Sequence, residues 1–390
     1  MVFEKMNLLL KKLFYLLDLL IPKKKRIVFS SFPDLSDNAF ALFEFMLNDV
    51  RLKNYSFVWL TEKEPSNYLT FNKPNIFIIK KNSLKGIYFY LSSSIAFYTH
   101  GLYKNISSYN KKKRINLWHG MPFKKIGILD DNFKGIVPTQ DKLIVTSLKC
   151  AQIYSEPFNI SLDNILQLGQ SRNDFLKKET FFFKKRGIDL SEYDKVIVWL
   201  PTYKKSNIGV IREDGVFNEN KIGFLERNKL NELDSFLSNK NIFLILKLHP
   251  MDVFNEEVFC NLENILIIKN KDLEESKEQL YPILGLTDAL ITDFSSVFID
   301  YLLIDKPIAF DLSDFENYNK NRGFLIKNPK KVLTGNTIYN YEDLKTFINN
   351  VYDEKDDYKQ EREKNKKMFH NYYDYNSSKR ITDWMLNELI

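Results

Sequence analysis

The sequence predicts an α/β protein built as two Rossmann-like domains in succession. Three observations carry this expectation. At 390 residues the chain exceeds one ordinary domain. Short apolar runs rich in β-branched and aromatic residues recur without strict alternation, the pattern of strands buried on both faces. Helical segments lie between the runs, and strands alternating with helices make parallel, doubly wound sheets.

Residues 1–25 come first. Met6 to Ile21 is mostly apolar, with Asn7, Lys11, Tyr15 and Asp18 on one helical side and Lys23, Lys24, Lys25 and Arg26 directly after. The stretch is shorter than the roughly 20 residues of a spanning helix and lacks a small-residue cleavage site. It reads as a helix lying in a membrane interface, or else as a first helix packed on the protein's own sheet. A first domain over 26–180 follows, with strand-like runs at Ile27–Ser31, Phe57–Leu60, Ile76–Lys80, Ile95–His100 and Leu143–Ser147, and a helix at Phe40–Asp49. The boundary falls in Lys177–Tyr193. A second domain over 181–372 carries runs at Val196–Pro201, Phe243–Leu248, Ile265–Lys269, Ala289–Thr292 and Ile308–Asp311, with helices at Asn228–Leu237 and Ser296–Leu303. Asp353–Lys367 reads as a solvated helix. Ser377–Leu389, in a last segment 373–390, reads as a helix packing at the domain junction.

With 44% apolar residues the chain is no disordered protein. Cys150 and Cys260 lie far apart and match no metal or redox spacing, which argues for a reducing compartment. The net charge of +7 is uneven. Residues 1–150 hold 24 Lys/Arg against 11 Asp/Glu, and the remainder holds 33 against 39. Two runs, Lys23–Arg26 and Lys111–Arg114, supply much of the basic excess. They suit attraction to an anionic surface, or they simply solvate the fold. They are not interleaved with aromatics on a recognisable module, so nucleic acid is not an expected partner.

Of the four histidines, two end a predicted strand just before Gly or Pro, in Asn116-Leu-Trp-His-Gly-Met-Pro122 and Leu246-Lys-Leu-His-Pro250. In open α/β sheets ligands bind beyond the carboxyl ends of the strands. His119 and His249, one in each domain, are therefore the candidate proton-transfer groups. In Ala289-Leu-Ile-Thr-Asp-Phe-Ser-Ser296 a strand ends at Thr292 and a helix begins near Ser295 or Ser296. Val297, Phe298, Tyr301 and Leu302 then share one helical face. Such a helix start caps free N–H groups or binds phosphate, making Thr292, Asp293, Ser295 and Ser296 candidates for a donor phosphate. Pro201 and Thr202 end the first strand of the second domain, and Asp37 and Asn38 follow the first strand of the first. Capping is the expected role of Asp37, and an anion clamp is a role for Arg172.

These segments resemble the CDP-glycerol glycerophosphotransferases of teichoic-acid and capsule synthesis. The resemblance rests on Leu-Trp-His-Gly-Met-Pro followed by Phe-Lys-Lys-Ile-Gly127, on Lys-Leu-His-Pro, and on Thr-Asp-Phe-Ser-Ser followed by Asp305-Lys-Pro307. Ser30-Ser-Phe-Pro, Pro201-Thr202, Ser171-Arg-Asn-Asp174 and Arg322-Gly323 add to it, in order along nearly the whole chain. The family's usual Pro-Arg-Asn-Asp reads Ser-Arg-Asn-Asp here, and Thr334-Gly335 stands where Pro-Gly is common. The resemblance implies a GT-B fold with an acceptor domain, a donor domain and a cleft between them. It implies His119 as base on the acceptor hydroxyl, with Asp37, Asn38, Gly120, Lys124 and Arg172 on the acceptor side. His249, Lys247, Ser295, Ser296 and Arg322 would stand at the diphosphate of CDP-glycerol or CDP-ribitol. It further implies peripheral attachment to the cytoplasmic membrane surface and a lipid-linked or polymeric acceptor. No acidic cluster suggests a metal cage, so any Mg²⁺ is expected to arrive with the substrate. A nucleotide-sugar transferase of the same fold and a non-catalytic polyanion-binding protein are the alternatives. The sequence leaves the polyol and the oligomeric state open.

Overall fold

The computed structural model describes residues 12–64, 73–103, 112–121, 123–130, 137, 139–201, 205–206, 212–213, 221–247 and 262–389. The chain forms two compact units. One comprises Met1–Gly120, Gly127–Phe175 and His370–Ile390, the other Met121–Ile126 and Leu176–Phe369.

In the first unit, α1 (residues 12–20) leads into β1 (Lys24–Ser30), α2 (Asp37–Leu47), β2 (Ser56–Thr61), β3 (Ile76–Lys80) and α3 (Leu84–Leu91). Then come β4 (Ser93–Tyr98), β5 (Lys113–Asn116), β6 (Lys142–Ile144), α4 (Leu148–Ser155) and β7 (Ile165–Leu166). All seven strands are parallel, in the order β3-β2-β1-β4-β5-β6-β7. Alternate side chains cover the two faces. Val28, Val58 and Ala96 join Phe89 and Leu91 of α3, with Phe14, Leu17 and Ile21 packed against them. Phe29 stacks with Trp59 at 5.8 Å and meets Phe43 of α2. Both faces are therefore apolar, which is why the strands read as runs rather than alternations. Strand order reverses between β1 and β4, the switch point where such sheets bind ligands.

Two sequence expectations change in this unit. Asp18, grouped with the polar side of the first helix, is buried and ion-paired to Lys23 at 2.7 Å and Lys112 at 3.0 Å. A buried carboxylate requires such partners, and α1 turns Asp18 inward while Leu13, Leu16, Leu19 and Leu20 stay exposed. The basic runs are also only partly a surface feature. Arg26 is buried, bonded to Ser92 and lying over the Phe89 ring, and Arg114 pairs with Asp141. Lys24, Lys25 and Lys113 remain exposed.

The second unit holds β8 (Lys195–Leu200), the two-residue pairs β9 (Lys205–Ser206) with β10 (Arg212–Glu213) and β11 (Lys221–Ile222) with β12 (Leu225–Glu226), then α5 (Leu230–Ser238), β13 (Ile242–Lys247) and β14 (Ile265–Ile268). It continues through α6 (Asn270–Ser276), α7 (Leu280–Leu284), β15 (Ala289–Thr292), α8 (Val297–Tyr301), β16 (Ile308–Asp311), α9 (Phe315–Asn321), β17 (Asn336–Ile338), α10 (Tyr341–Tyr352) and α11 (Lys359–Phe369). Six strands lie parallel in the order β14-β13-β8-β15-β16-β17, with the switch between β8 and β15. Ile197, Trp199, Leu244 and Ile291 pack with Leu233 and Leu237 of α5 and Phe347 of α10.

Helix α8 is short, and Val297, Phe298, Ile299, Asp300 and Tyr301 are all buried, so it presents no single apolar face. Nor is α11 simply solvated: Arg362 lies fully buried, held by Asp356 at 2.6 Å. Met121–Ile126, expected in the first domain, joins this unit. Lys125 N donates to Gly323 O at 3.1 Å, Leu325 N donates to Phe123 O at 2.9 Å, and Lys124 bridges Phe324. Backbone pairing of this kind outweighs sequence neighbourhood. The chain then returns to the first unit in α12 (Ser377–Glu388), which packs on α2. The carboxylate of Asp174 accepts from Ser377 N and Ser378 N at 2.8 and 2.7 Å, satisfying the start of α12.

Candidate active site

The first unit gathers its candidate residues at the switch point. Strand β4 ends at Tyr98 and leads into Thr99 and His100, and β5 ends in Asn116, from which the chain turns through Trp118 to His119. Trp118 has φ of +52°, a left-handed conformation unfavourable for a bulky residue. Surrounding polar groups hold it there. Asn116 Oδ1 accepts from Trp118 N at 2.9 Å, and Asn38 Nδ2 donates to Trp118 O at 2.9 Å. Arg172 Nη1 donates both to His119 O and to Asp37 Oδ1, each at 2.9 Å, while Arg172 N donates to Asn38 Oδ1 at 3.1 Å. Tyr154 donates its hydroxyl to Gly120 O at 2.6 Å. Asp37, Asn38, His119, Gly120 and Arg172 thus form one network.

Within it, Asp37 opens α2 directly after Ser36, and its Oδ1 accepts both from Asn38 N in the first turn at 2.7 Å and from Arg172 Nη1 at 2.9 Å. Arg172 is buried, ion-paired to Asp37 and bonded to the His119 carbonyl.

The His119 ring is half-buried, and its Nδ1 lies 3.2 Å from Thr99 O. A carbonyl only accepts, so Nδ1 carries the proton and Nε2 holds a free lone pair. Burial pushes the imidazole below its ordinary pKa and Arg172 acts the same way, with Asp37 and the Thr99 bond opposing. The ring is therefore neutral near pH 7 and poised as a base. If it serves as one, kcat/KM falls as pH drops through the His119 pKa, and that acid limb is expected below the ordinary value of about 6.5. A pH–rate profile checks this, and a limb at or above that value would contradict it.

In the second unit, Thr292 Oγ1 donates to Leu200 O at 2.8 Å, tying the ends of β15 and β8 and bringing Thr292 and Asp293 to the switch point beside Pro201. Lys247 ends β13 next to β8, buried, with Nζ donating to Asn270 Oδ1 at 2.5 Å. Ser295 and Ser296 precede α8, and Ser296 makes no side-chain cap bond. Phe294, in the same loop, packs on Tyr318 at 4.5 Å, setting this loop against α9, which Arg322 directly follows. Lys124, which belongs to this unit, lies over the Tyr318 ring at 5.4 Å. His249 and Thr202 lie outside the described residues. No cluster of three or more His, Cys, Asp or Glu suited to a metal occurs among the described residues.

Residues 13–387 match the family of the CDP-glycerol:poly(glycerophosphate) glycerophosphotransferases. The chain belongs to that family. Among curated proteins it is 26% identical over 341 residues to the teichoic acid poly(glycerol phosphate) polymerase of Bacillus spizizenii, covering 80% of each chain. It is 29% identical over 225 residues to the teichoic acid ribitol-phosphate primase of the same organism, covering 54% of each. A solved structure of the wall teichoic acid polymerase TagF superposes with a TM-score of 0.76 at 22% identity, over 100% of this chain and 96% of that one. The fold of this glycerophosphotransferase is accordingly of the GT-B type, as the sequence implied.

Sequence reasoning overlooked Thr99 and His100. Their signal was present, because Thr99-His-Gly101 repeats the strand-end His-Gly of His119-Gly120. Glycine follows in both places, and Gly101 has φ of +89°, which favours glycine.

Proposed function

We propose that this enzyme moves a polyol phosphate from a CDP-linked donor onto the hydroxyl of a lipid-linked or polymeric acceptor, releasing CMP. The acceptor oxygen attacks the β-phosphorus, the bond from that phosphorus to the bridging oxygen of CMP breaks, and the hydroxyl proton passes to His119 Nε2. CMP departs with the electron pair of the broken bond. The observation that carries this reading is the contact of His119 Nδ1 with Thr99 O, which leaves a neutral ring with Nε2 available. Lys247 and Arg322 neutralise the growing phosphate charge, and Ser295 and Ser296 donate hydrogen bonds to it, with His249 at the same diphosphate. Any Mg²⁺ enters on the donor diphosphate. Family membership favours glycerol, and the ribitol-phosphate relative keeps ribitol as the second donor to test. Labelled CDP-glycerol and CDP-ribitol, each offered with a short polymer or lipid-linked acceptor, test the reading. Label entering the acceptor supports it and names the polyol, whereas absence of transfer from both donors overturns it.

The enzyme works at a membrane surface in this reading. Among the described residues no helix is long and apolar enough to cross a membrane. Instead, Leu16 and Leu20 of α1 are 51% and 75% exposed, with Lys24 and Lys25 close behind in sequence. Exposed leucines beside lysines suit the interface of an anionic bilayer. Leu16→Glu with Leu20→Glu is expected to reduce co-sedimentation with phosphatidylglycerol vesicles at least tenfold, roughly the effect of about 1.4 kcal/mol in binding. Unchanged sedimentation would contradict this attachment.

A further inference from the structure

His100 is not part of the reaction just described, yet it lies flat on the base. The His100 and His119 rings are 3.8 Å apart between centroids and within 5° of parallel. Thr99, fully buried, ties both: its carbonyl faces His119 Nδ1 at 3.2 Å and its hydroxyl faces His100 Nδ1 at 2.8 Å. Trp118 lies 4.0 Å from His119, tilted by 36°, and Phe32 meets His100 edge-on at 5.8 Å. His100 is itself exposed, so the fold does not depend on it as a core residue.

We propose that His100 is a positioning residue for the base, a flat plate that fixes the plane of the His119 imidazole so that Nε2 points at the acceptor hydroxyl. A half-buried ring held by one hydrogen bond through Nδ1 retains freedom to swing about χ2. A parallel ring 3.8 Å away between centroids removes that freedom. The plate works by shape, and its nitrogens are not required. This inference rests on the reading of His119 as the base.

The test compares wild type, His100→Ala and His100→Phe in the full-length enzyme, measuring kcat and donor KM by CMP release, with melting curves for all three. His100→Ala is expected to lower kcat by roughly 10–100-fold, the scale of a misplaced catalytic group, with donor KM within about twofold and the melting curve unchanged. His100→Phe, which keeps a flat ring, is expected to recover most of the lost kcat. A Phe variant as slow as the Ala variant, or an Ala variant as fast as wild type, overturns the proposal. Absence of CMP release by the wild type itself is a separate result, and it counts against the proposed reaction rather than against the plate.

Discussion

Replacing His119 by alanine is expected to lower acceptor-dependent turnover by about 10²–10⁴-fold, the contribution of a positioned general base. Donor binding is expected to change little, because the switch-point residues Thr292, Asp293 and Lys247 belong to the other unit. The fold is also expected to survive, since the ring is half-buried and, among the described residues, its one polar bond is to Thr99 O. The mutant should therefore melt like wild type and retain donor-dependent stabilisation while failing to turn over. A mutant that turns over at the wild-type rate would place the base elsewhere.

Replacing Arg172 by alanine has the second large effect, and it combines structure with chemistry. Its guanidinium is 7% exposed and pairs with Asp37, which is 15% exposed. Removing one member of a buried pair leaves the other charge uncompensated, at a cost on the order of 3 kcal/mol, the lower end for a pair that keeps some solvent contact. Thermal unfolding should show an earlier transition for the unit that contains α2. The backbone turn at Trp118 and His119 also loses its donor to His119 O. Arg172 pushes the His119 pKa down whereas Asp37 pushes it up. Losing the arginine therefore raises that pKa, and the acid limb of kcat/KM is expected to move to higher pH. An unchanged limb with lowered stability would make Arg172 a purely structural residue.

Much of the fold was legible because both sheets are covered on both faces. Phe57–Leu60 is apolar at every position and Ile76–Lys80 at all but the last, and β2 and β3 formed there. Strand β5 was harder to see, because Lys113 and Arg114 open it and only Ile115 is apolar. Strands β7 and β17 have two and three residues, too few for any period to register. The reach of Met121–Ile126 into the other unit depends on backbone pairing with residues around Gly323, almost two hundred positions away, which no local pattern encodes.

The candidate site divides in the same manner. His119 was visible as a strand-end histidine before glycine, Asp37 and Asn38 as polar groups after a strand end, and Arg172 as a candidate anion clamp. Their mutual bonding was not visible, because it joins residues 37, 38, 119 and 172 through side-chain geometry alone. Asp18 shows the opposite case. Its helical position suggested the polar side of α1, but Lys23 and Lys112 draw it inward, and the leucines become the exposed surface.

The most direct test of the central claim is CMP release from CDP-glycerol with an acceptor, measured side by side for wild type and His119→Ala. The expected result is acceptor-dependent CMP release by the wild type that is nearly abolished in the variant. No CMP from the folded wild type with CDP-glycerol or CDP-ribitol, or equal release by both proteins, would contradict the account.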